Sequence, residues 1–489
     1  MAGLPEAFEQ RMRGMLGEEY QAFEAALFAQ RAQGLRVSEI RLPKRFADAS
    51  EVGVYLAQLM GWNLTPVAWT REGFAYGAKD RPGKHPLHEA GAYYIQEPSA
   101  MAVVSLLDPK PGERVLDLCA APGGKSTHAA SRLKGKGLLI ANEIHPARAK
   151  ILSQNVERMG AKNVVVTNET PARLSKQFPE FFDAMIVDAP CSGEGMFRKD
   201  EEAIGHWSPE NVRLCAERQD EILEEAAKML RPGGRMVYST CTFAPEEDEG
   251  AIARFLNRHA DFSLKTVTLC DGMDSARPEW AWDIDGAPLQ DLTDEAKTSI
   301  SRAVRIFPHH GQGEGHFMAL LVRDGEDADV KREAPVKERL PKNWKALLAD
   351  YESFCKEQLK DSPEDPDGRW ELFGDQLYRV PAGVGDLAGL KVLRPGLHLG
   401  TFKKNRMEPA HALALSLRPE EANFTLRLDP QGEEVARFLR GETLDASLNE
   451  ELSGKKGWVL VCAGEWSLGW AKLGGGILKN HYPKGLRRG

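Results

Sequence analysis

Between residues 91 and 322, short apolar runs alternate with helical stretches, and this alternation restricts the fold more than any other feature of the chain. The runs Arg114–Leu118, Gly137–Asn142, Asn163–Thr167, Asp183–Asp188 and Gly234–Ser239 read as buried strands. Pro146–Met159 and Glu210–Leu230 read as helices between them, and His316–Val322 as a last strand. Alternating β and α elements predict a doubly wound α/β, Rossmann-like sheet with helices on both faces. Ligands of such sheets bind outside the carboxyl ends of the strands. Function is therefore expected from the residues that directly follow these runs.

The first run leads into Cys119-Ala120-Ala121-Pro122-Gly123-Gly124-Lys125, and a helix follows. Glycines let the backbone approach a ligand closely, and the helix start offers free N–H groups. Glu143 ends the next strand, about 20 residues on, where an acid suits the two hydroxyls of a ribose. The turn lacks the G-x-G-x-x-G of a dinucleotide site. A phosphate-binding P-loop needs a glycine where this chain has Cys119. A ribose-bearing cofactor without a phosphate chain remains, and S-adenosylmethionine fits.

Two further strand ends carry thiols. Asp183–Asp188 leads through Ala189 and Pro190 to Cys191, and Arg235–Thr240 leads straight to Cys241. Both are expected to face one crevice. A thiolate is nucleophilic at neutral pH and can also leave. That pair of properties suits methylation of cytosine at carbon 5, a poor nucleophile until a thiolate adds to carbon 6. A second group must then take the carbon 5 proton, and a carboxylate is needed near ring nitrogen 3. Asp188 precedes Cys191 by three residues.

These motifs resemble the Sun-type family of S-adenosylmethionine-dependent RNA (cytosine-5) methyltransferases, most closely its bacterial 16S ribosomal RNA branch. The similarity runs from about Gly91 to Phe317 and rests on the turn Cys119 to Lys125, Asp188-Ala-Pro-Cys191 and Ser239-Thr-Cys241. It implies that Cys241 is the nucleophile and that Cys191 assists release. It also implies that Asp188 contacts cofactor and base, that Glu143 holds the ribose, and that the C-terminal region binds RNA. Two places depart from the family: Asn168-Glu-Thr170 where an aspartate often stands near the adenine, and Arg36-Val-Ser38 where Arg-x-Asn is usual. Transfer RNA is the alternative substrate. A catalytically silent RNA-binding or ribosome-assembly factor is the alternative function.

The formal net charge of −8 argues against a nucleic-acid partner, but its distribution does not. The tail carries Lys479, Tyr482, Lys484, Arg487 and Arg488 without an acid, which is the composition of an RNA contact. Arg198 and Lys199 follow the Cys191 loop, to hold RNA phosphates or to form a plain solvated loop. Pro245-Glu-Glu-Asp-Glu249 reads as a helix start with Pro at its first position. His309 and His310 have no third ligand at a metal-type spacing, so no metal is expected.

Seven cysteines without paired spacing imply reduced thiols and a cytoplasmic location. The N-terminus does not read as a secretory signal, and no apolar run approaches the roughly 20 residues that span a bilayer. The expected organisation is an α+β substrate-positioning domain over 1–90, the catalytic domain over 91–322, a charged linker over 323–340, and an α+β RNA-binding region over 341–489. The expected state is a monomer that acts on RNA, not DNA.

Overall fold

The computed structural model describes residues 3–488 apart from 200, 291, 327–335, 337, 339, 364–366, 405 and 448. Seven strands form the centre of the ten-stranded catalytic sheet: β1 (Arg114–Asp117), β2 (Leu138–Asn142), β3 (Val164–Thr167), β4 (Phe182–Asp188), β5 (Leu230–Thr240), β6 (Val304–Ile306) and β7 (His316–Arg323). Their spatial order is β3-β2-β1-β4-β5-β7-β6. The first five are parallel, β7 runs antiparallel to β5, and β6 runs antiparallel to β7. Chain order reverses between β1 and β4, so the crevice expected of an open α/β sheet opens there. Side chains alternate between the faces: Leu116, Ile140, Met185 and Met236 pack on one side, Val115, Leu139, Ala184 and Val237 on the other.

The sheet is longer than the sequence reading made it. Val392–Arg394, expected in a C-terminal module, pairs antiparallel with β3. The Asn168 N–H donates to the Lys391 carbonyl at 2.9 Å, and the Lys391 N–H donates to Glu169 at 2.7 Å. Without this segment β3 would be a bare edge with unpaired backbone groups.

The N-terminal helices Glu6–Leu16 and Tyr20–Phe28 precede a four-stranded antiparallel sheet over residues 34–95. Arg36 of that sheet is fully buried and reaches the glycine turn, donating to Thr127 Oγ1 at 2.9 Å and Gln96 Oε1 at 3.0 Å. The C-terminal region carries a four-stranded sheet over 369–409 and a five-stranded sheet over 425–480. Much of the linker read at 323–340 lies outside the described residues. Among the described residues, no helix is long and apolar enough to cross a membrane.

Candidate active site

Three junctions of the sheet converge. The turn after β1 starts the helix Gly124–Leu133, and Gly123 sits at φ +112°, where a side chain would be strained. Lys125 projects from the first turn of that helix, and its Nζ donates to Asp188 Oδ2 at 2.7 Å. Asp188 ends β4 in register with Ser239 of β5, and the Ser239 hydroxyl donates to Oδ1 at 2.8 Å. Burial opposes ionisation of Asp188, but the charge and hydrogen bond of Lys125, helped by the Ser239 hydrogen bond, hold the carboxyl below its ordinary value.

Cys191 and Cys241 lie just beyond these strand ends with their sulfurs 3.4 Å apart. The two thiols are electrically different. The Cys191 hydrogen bond pulls Cys241 below its ordinary value, and Lys125 and Lys199 pull the same way. Cys191 is pushed up by its bond to Cys241, by burial and by the negative charges of Cys241 and Glu247. Cys241 is thus the readier thiolate. Cys119 packs against the core and burial pushes its thiol up, so it is a poor nucleophile.

The acidic floor of the crevice defines the ligand it suits. Glu143 is buried at the end of β2, bonded to the His145 N–H at 2.9 Å and 3.5 Å from Arg148. Asp117 ends β1 and accepts from Ser126 at 2.6 Å, but its Oδ1 is buried with no hydrogen-bond partner among the described residues. Burial raises the Asp117 carboxyl to about 7, and the charges of Asp188 and Glu143 add to that. Three carboxyls at adjacent strand ends, met by Lys125 at Asp188 and Arg148 at Glu143, suit a cationic ligand with hydroxyls better than a phosphate chain.

Comparison with known proteins agrees with this geometry. Residues 104–322 match the family described as 16S rRNA methyltransferase RsmB/F. Residues 4–98 match the N-terminal domain of 16S rRNA methyltransferase RsmF, 353–417 the RsmF rRNA methyltransferase first C-terminal domain, and 425–488 the methyltransferase RsmF PUA domain. A relative from Shigella boydii, ribosomal RNA small subunit methyltransferase F, is 30% identical over 99% of this chain and 96% of its own. The chain belongs to the 16S rRNA methyltransferase RsmB/F family.

A second RsmB/F relative, the Shewanella oneidensis small subunit methyltransferase F, is 30% identical over 95% of this chain and 92% of its own. The crystal structure of a methyltransferase homologue from Pyrococcus horikoshii is 28% identical with a TM-score of 0.56, covering 66% of this chain and 96% of that one. As an RsmB/F member the chain is an S-adenosylmethionine-dependent methyltransferase, and the acidic crevice fits that cationic cofactor.

Several residues expected to touch RNA are engaged elsewhere in this RsmB/F fold. The Arg198 guanidinium pairs with Glu314 at 3.2 Å and donates to the Gly313 carbonyl. Tyr482 is 3% exposed and packs against His411 and Phe438, so it offers no face to a base. Arg487 donates to the Tyr482 carbonyl. Arg488 pairs with Glu89 at 3.0 Å and donates to the Lys84 carbonyl, which straps the tail to the N-terminal domain. In this structure each of the four meets an acid, a carbonyl or a ring that sequence spacing does not reveal. Lys479 and Lys484 are exposed and Lys199 is half-buried.

The acidic run is also corrected. The helix starts at Glu249, not Pro245, and Glu247, Asp248 and Glu249 are fully buried. Sequence reasoning missed Asp117 and His316. The His316 ring is kept neutral, near 4, by burial and then by Lys125, and its Nδ1 lies 2.8 Å from the Gly315 carbonyl. An acid ending β1 beside the glycine turn was a signal for Asp117; His316 left none. His309 and His310 do acquire a third neighbour, Glu19, with one ligand atom of each within 4.8 Å. Arg277 also pairs with Glu19 at 3.0 Å, and Asp274 with His310 at 2.6 Å, so the group reads as an ion-pair cluster pinning the N-terminal helices.

Proposed function

We propose that this chain methylates carbon 5 of a cytosine in 16S ribosomal RNA, with Cys241 as nucleophile and Cys191 as the release thiol. The observation that carries this is the pair of sulfurs 3.4 Å apart beside the Lys125–Asp188 ion pair. S-adenosylmethionine, when bound, supplies an electrophilic methyl group. The Cys241 thiolate adds to carbon 6, forming the S–C bond as the carbon 5–carbon 6 double bond opens. Asp188 and Lys125 face the charge that then develops on the ring at nitrogen 3 and oxygen 2. Carbon 5 takes the methyl group. Cys191 then removes the carbon 5 proton; the C–H pair restores the double bond, and Cys241 leaves with the S–C pair.

The two thiols are coupled. Cys191 is held protonated first by its hydrogen bond to Cys241, then by burial and by the charges of Cys241 and Glu247. Once Cys241 is bonded to carbon, its hydrogen bond and its charge no longer hold the Cys191 proton, while burial and Glu247 still do. Cys191 takes the carbon 5 proton as its thiolate.

The turn Ala120–Lys125, Glu143 and Asp188 line the cofactor side of the crevice in this reading. Glu143→Ala will weaken S-adenosylmethionine binding by about 1.5–3 kcal/mol, the range for hydrogen bonds to a charged group. Calorimetry on the folded variant checks it, and unchanged affinity removes Glu143 from the ribose. Lys199, Lys479 and Lys484 are the cations we assign to RNA. Lys479→Glu with Lys484→Glu will weaken RNA binding and flatten its salt dependence, since phosphate contacts release counterions. Cofactor affinity will not move.

The enzyme is read as a cytoplasmic monomer that acts on the ribosomal RNA or its assembling particle. Bisulfite sequencing of ribosomal and transfer RNA, with and without the protein, tests the whole proposal. A protein-dependent 5-methylcytosine in 16S RNA supports it. Methylation confined to transfer RNA, or none in either, overturns it.

A further inference from the structure

Cys241 extends directly from β5, but Cys191 does not share such support. Residues 189–193 have no regular secondary structure. Two carboxylates instead cross between the thiol-bearing loops in opposite directions. Glu194, three residues past Cys191, accepts from the Phe243 N–H at 3.0 Å, just past Cys241. Its other oxygen accepts from the Trp207 indole at 2.8 Å and from Arg11 of the first helix. Glu247, past Cys241, accepts from the Ser192 N–H at 3.0 Å, next to Cys191.

The second crossing brackets Cys191 on both sides. The Gln219 amide nitrogen donates to the same Glu247 oxygen at 2.7 Å and to the Pro190 carbonyl at 3.0 Å. One Glu–Gln pair therefore holds the peptides immediately before and after the thiol. The Tyr238 hydroxyl fixes the Glu247 backbone at 2.6 Å, and the Ser192 and Thr242 hydroxyls meet at 2.7 Å. Glu194, Gln219 and Glu247 are all fully buried.

Burying a carboxyl without a cation is costly. Glu194 has Arg11. Glu247 has no cation within salt-bridge distance among the described residues, and burial pushes its carboxyl up to about 8. At neutral pH it is therefore largely the neutral acid, which a glutamine mimics. A core that needed only stability would gain by an apolar residue here. A reaction in which one sulfur must meet a proton beside the other gains by geometry, since a 1 Å misplacement can cost about 10²-fold in rate.

We propose that Glu247, acting through Gln219 and Ser192, is the positioning residue of the release thiol, holding Cys191 where it can clear the adduct on Cys241. The proposal rests on the assignment of release to Cys191. It concerns the second half of the reaction only, because the brace touches neither Lys125, Asp188 nor the cofactor turn.

The test is partition between adduct and product, a ratio that does not depend on how much enzyme is folded. Glu247→Ala will carry at least about fivefold more denaturation-stable RNA adduct per turnover than the wild type, with KM for RNA and cofactor affinity within about twofold. Glu247→Gln keeps a carbonyl oxygen for both donors and will restore the wild-type ratio. Gln219→Leu, which frees Pro190 from an otherwise intact helix, will raise the ratio in the same direction and serves if Glu247→Ala does not fold.

A wild-type ratio in Glu247→Ala or in Gln219→Leu overturns the proposal. So does a Glu247→Gln as impaired as Glu247→Ala, which assigns the effect to charge. Failure of the underlying assignment looks different: Cys191→Ala then forms no adduct, and the positioning role falls with it.

Discussion

Cys191→Ala enzyme will accumulate a covalent complex with its RNA, and Cys241→Ala enzyme will form none. Both will lose turnover, for opposite reasons. Without Cys241 nothing adds to carbon 6, so carbon 5 is never activated. Without Cys191 addition and methyl transfer proceed, but the carbon 5 proton stays and the S–C bond cannot break. A denaturing gel will show a slow, RNase-sensitive band for Cys191→Ala alone, dependent on cofactor if the trap follows methyl transfer. The double variant will lose the band.

The structure adds a pH signature to this experiment. Cys241 is lowered first of all by the hydrogen bond from Cys191, 3.4 Å away. Removing that donor raises the Cys241 thiol, so in Cys191→Ala the inflection for adduct formation will move to higher pH. The band in Cys241→Ala but not in Cys191→Ala would reverse the two roles. An inflection that stays put would mean that the two thiols do not share a proton.

Arg305→Ala will cost about 3–5 kcal/mol of stability, the range for breaking a buried ion pair from one side. Arg305 is 2% exposed on β6. It meets Glu249 with Nε at 2.8 Å and lies 3.1 Å from Asp248. Asp248 in turn accepts from the Thr240 hydroxyl at 2.5 Å, next to Cys241. Burial already pushes the Asp248 carboxyl far up, with Arg305 opposing it. Truncation would leave two buried acids without their cation. Arg305→Lys keeps the charge but not the planar fork, so its loss will be smaller. Urea midpoints measure both. A loss below about 1 kcal/mol for Arg305→Ala would show that the acids find another partner or take up protons without penalty.

What could be read in advance was local. Each parallel strand announced itself as a compact apolar run, because burial on both faces leaves no polar positions. The glycine turn, Glu143, Asp188, Cys191 and Cys241 were legible for a related reason: each follows a strand directly, and a strand end in such a sheet is already an address. The thiols are side by side because Asp188 and Ser239 pair in register. β6 escaped notice, since three residues are too few for a pattern.

The sequence by itself determined the doubly wound sheet and pointed to the glycine turn and the two strand-end thiols, since spacing along one strand and the loop after it carries that information. Only the tertiary structure decided which charges are free. Arg198 and Arg488 read as cations for RNA, but they meet Glu314 and Glu89. Tyr482 read as a stacking ring but is buried. The same holds for the acids: Glu247 meets Ser192, and Glu194 meets Arg11, 183 positions away. A charge is neutralised by whatever the fold brings within a few ångströms, and the Coulomb energy depends on that distance and on the local dielectric, not on separation along the chain.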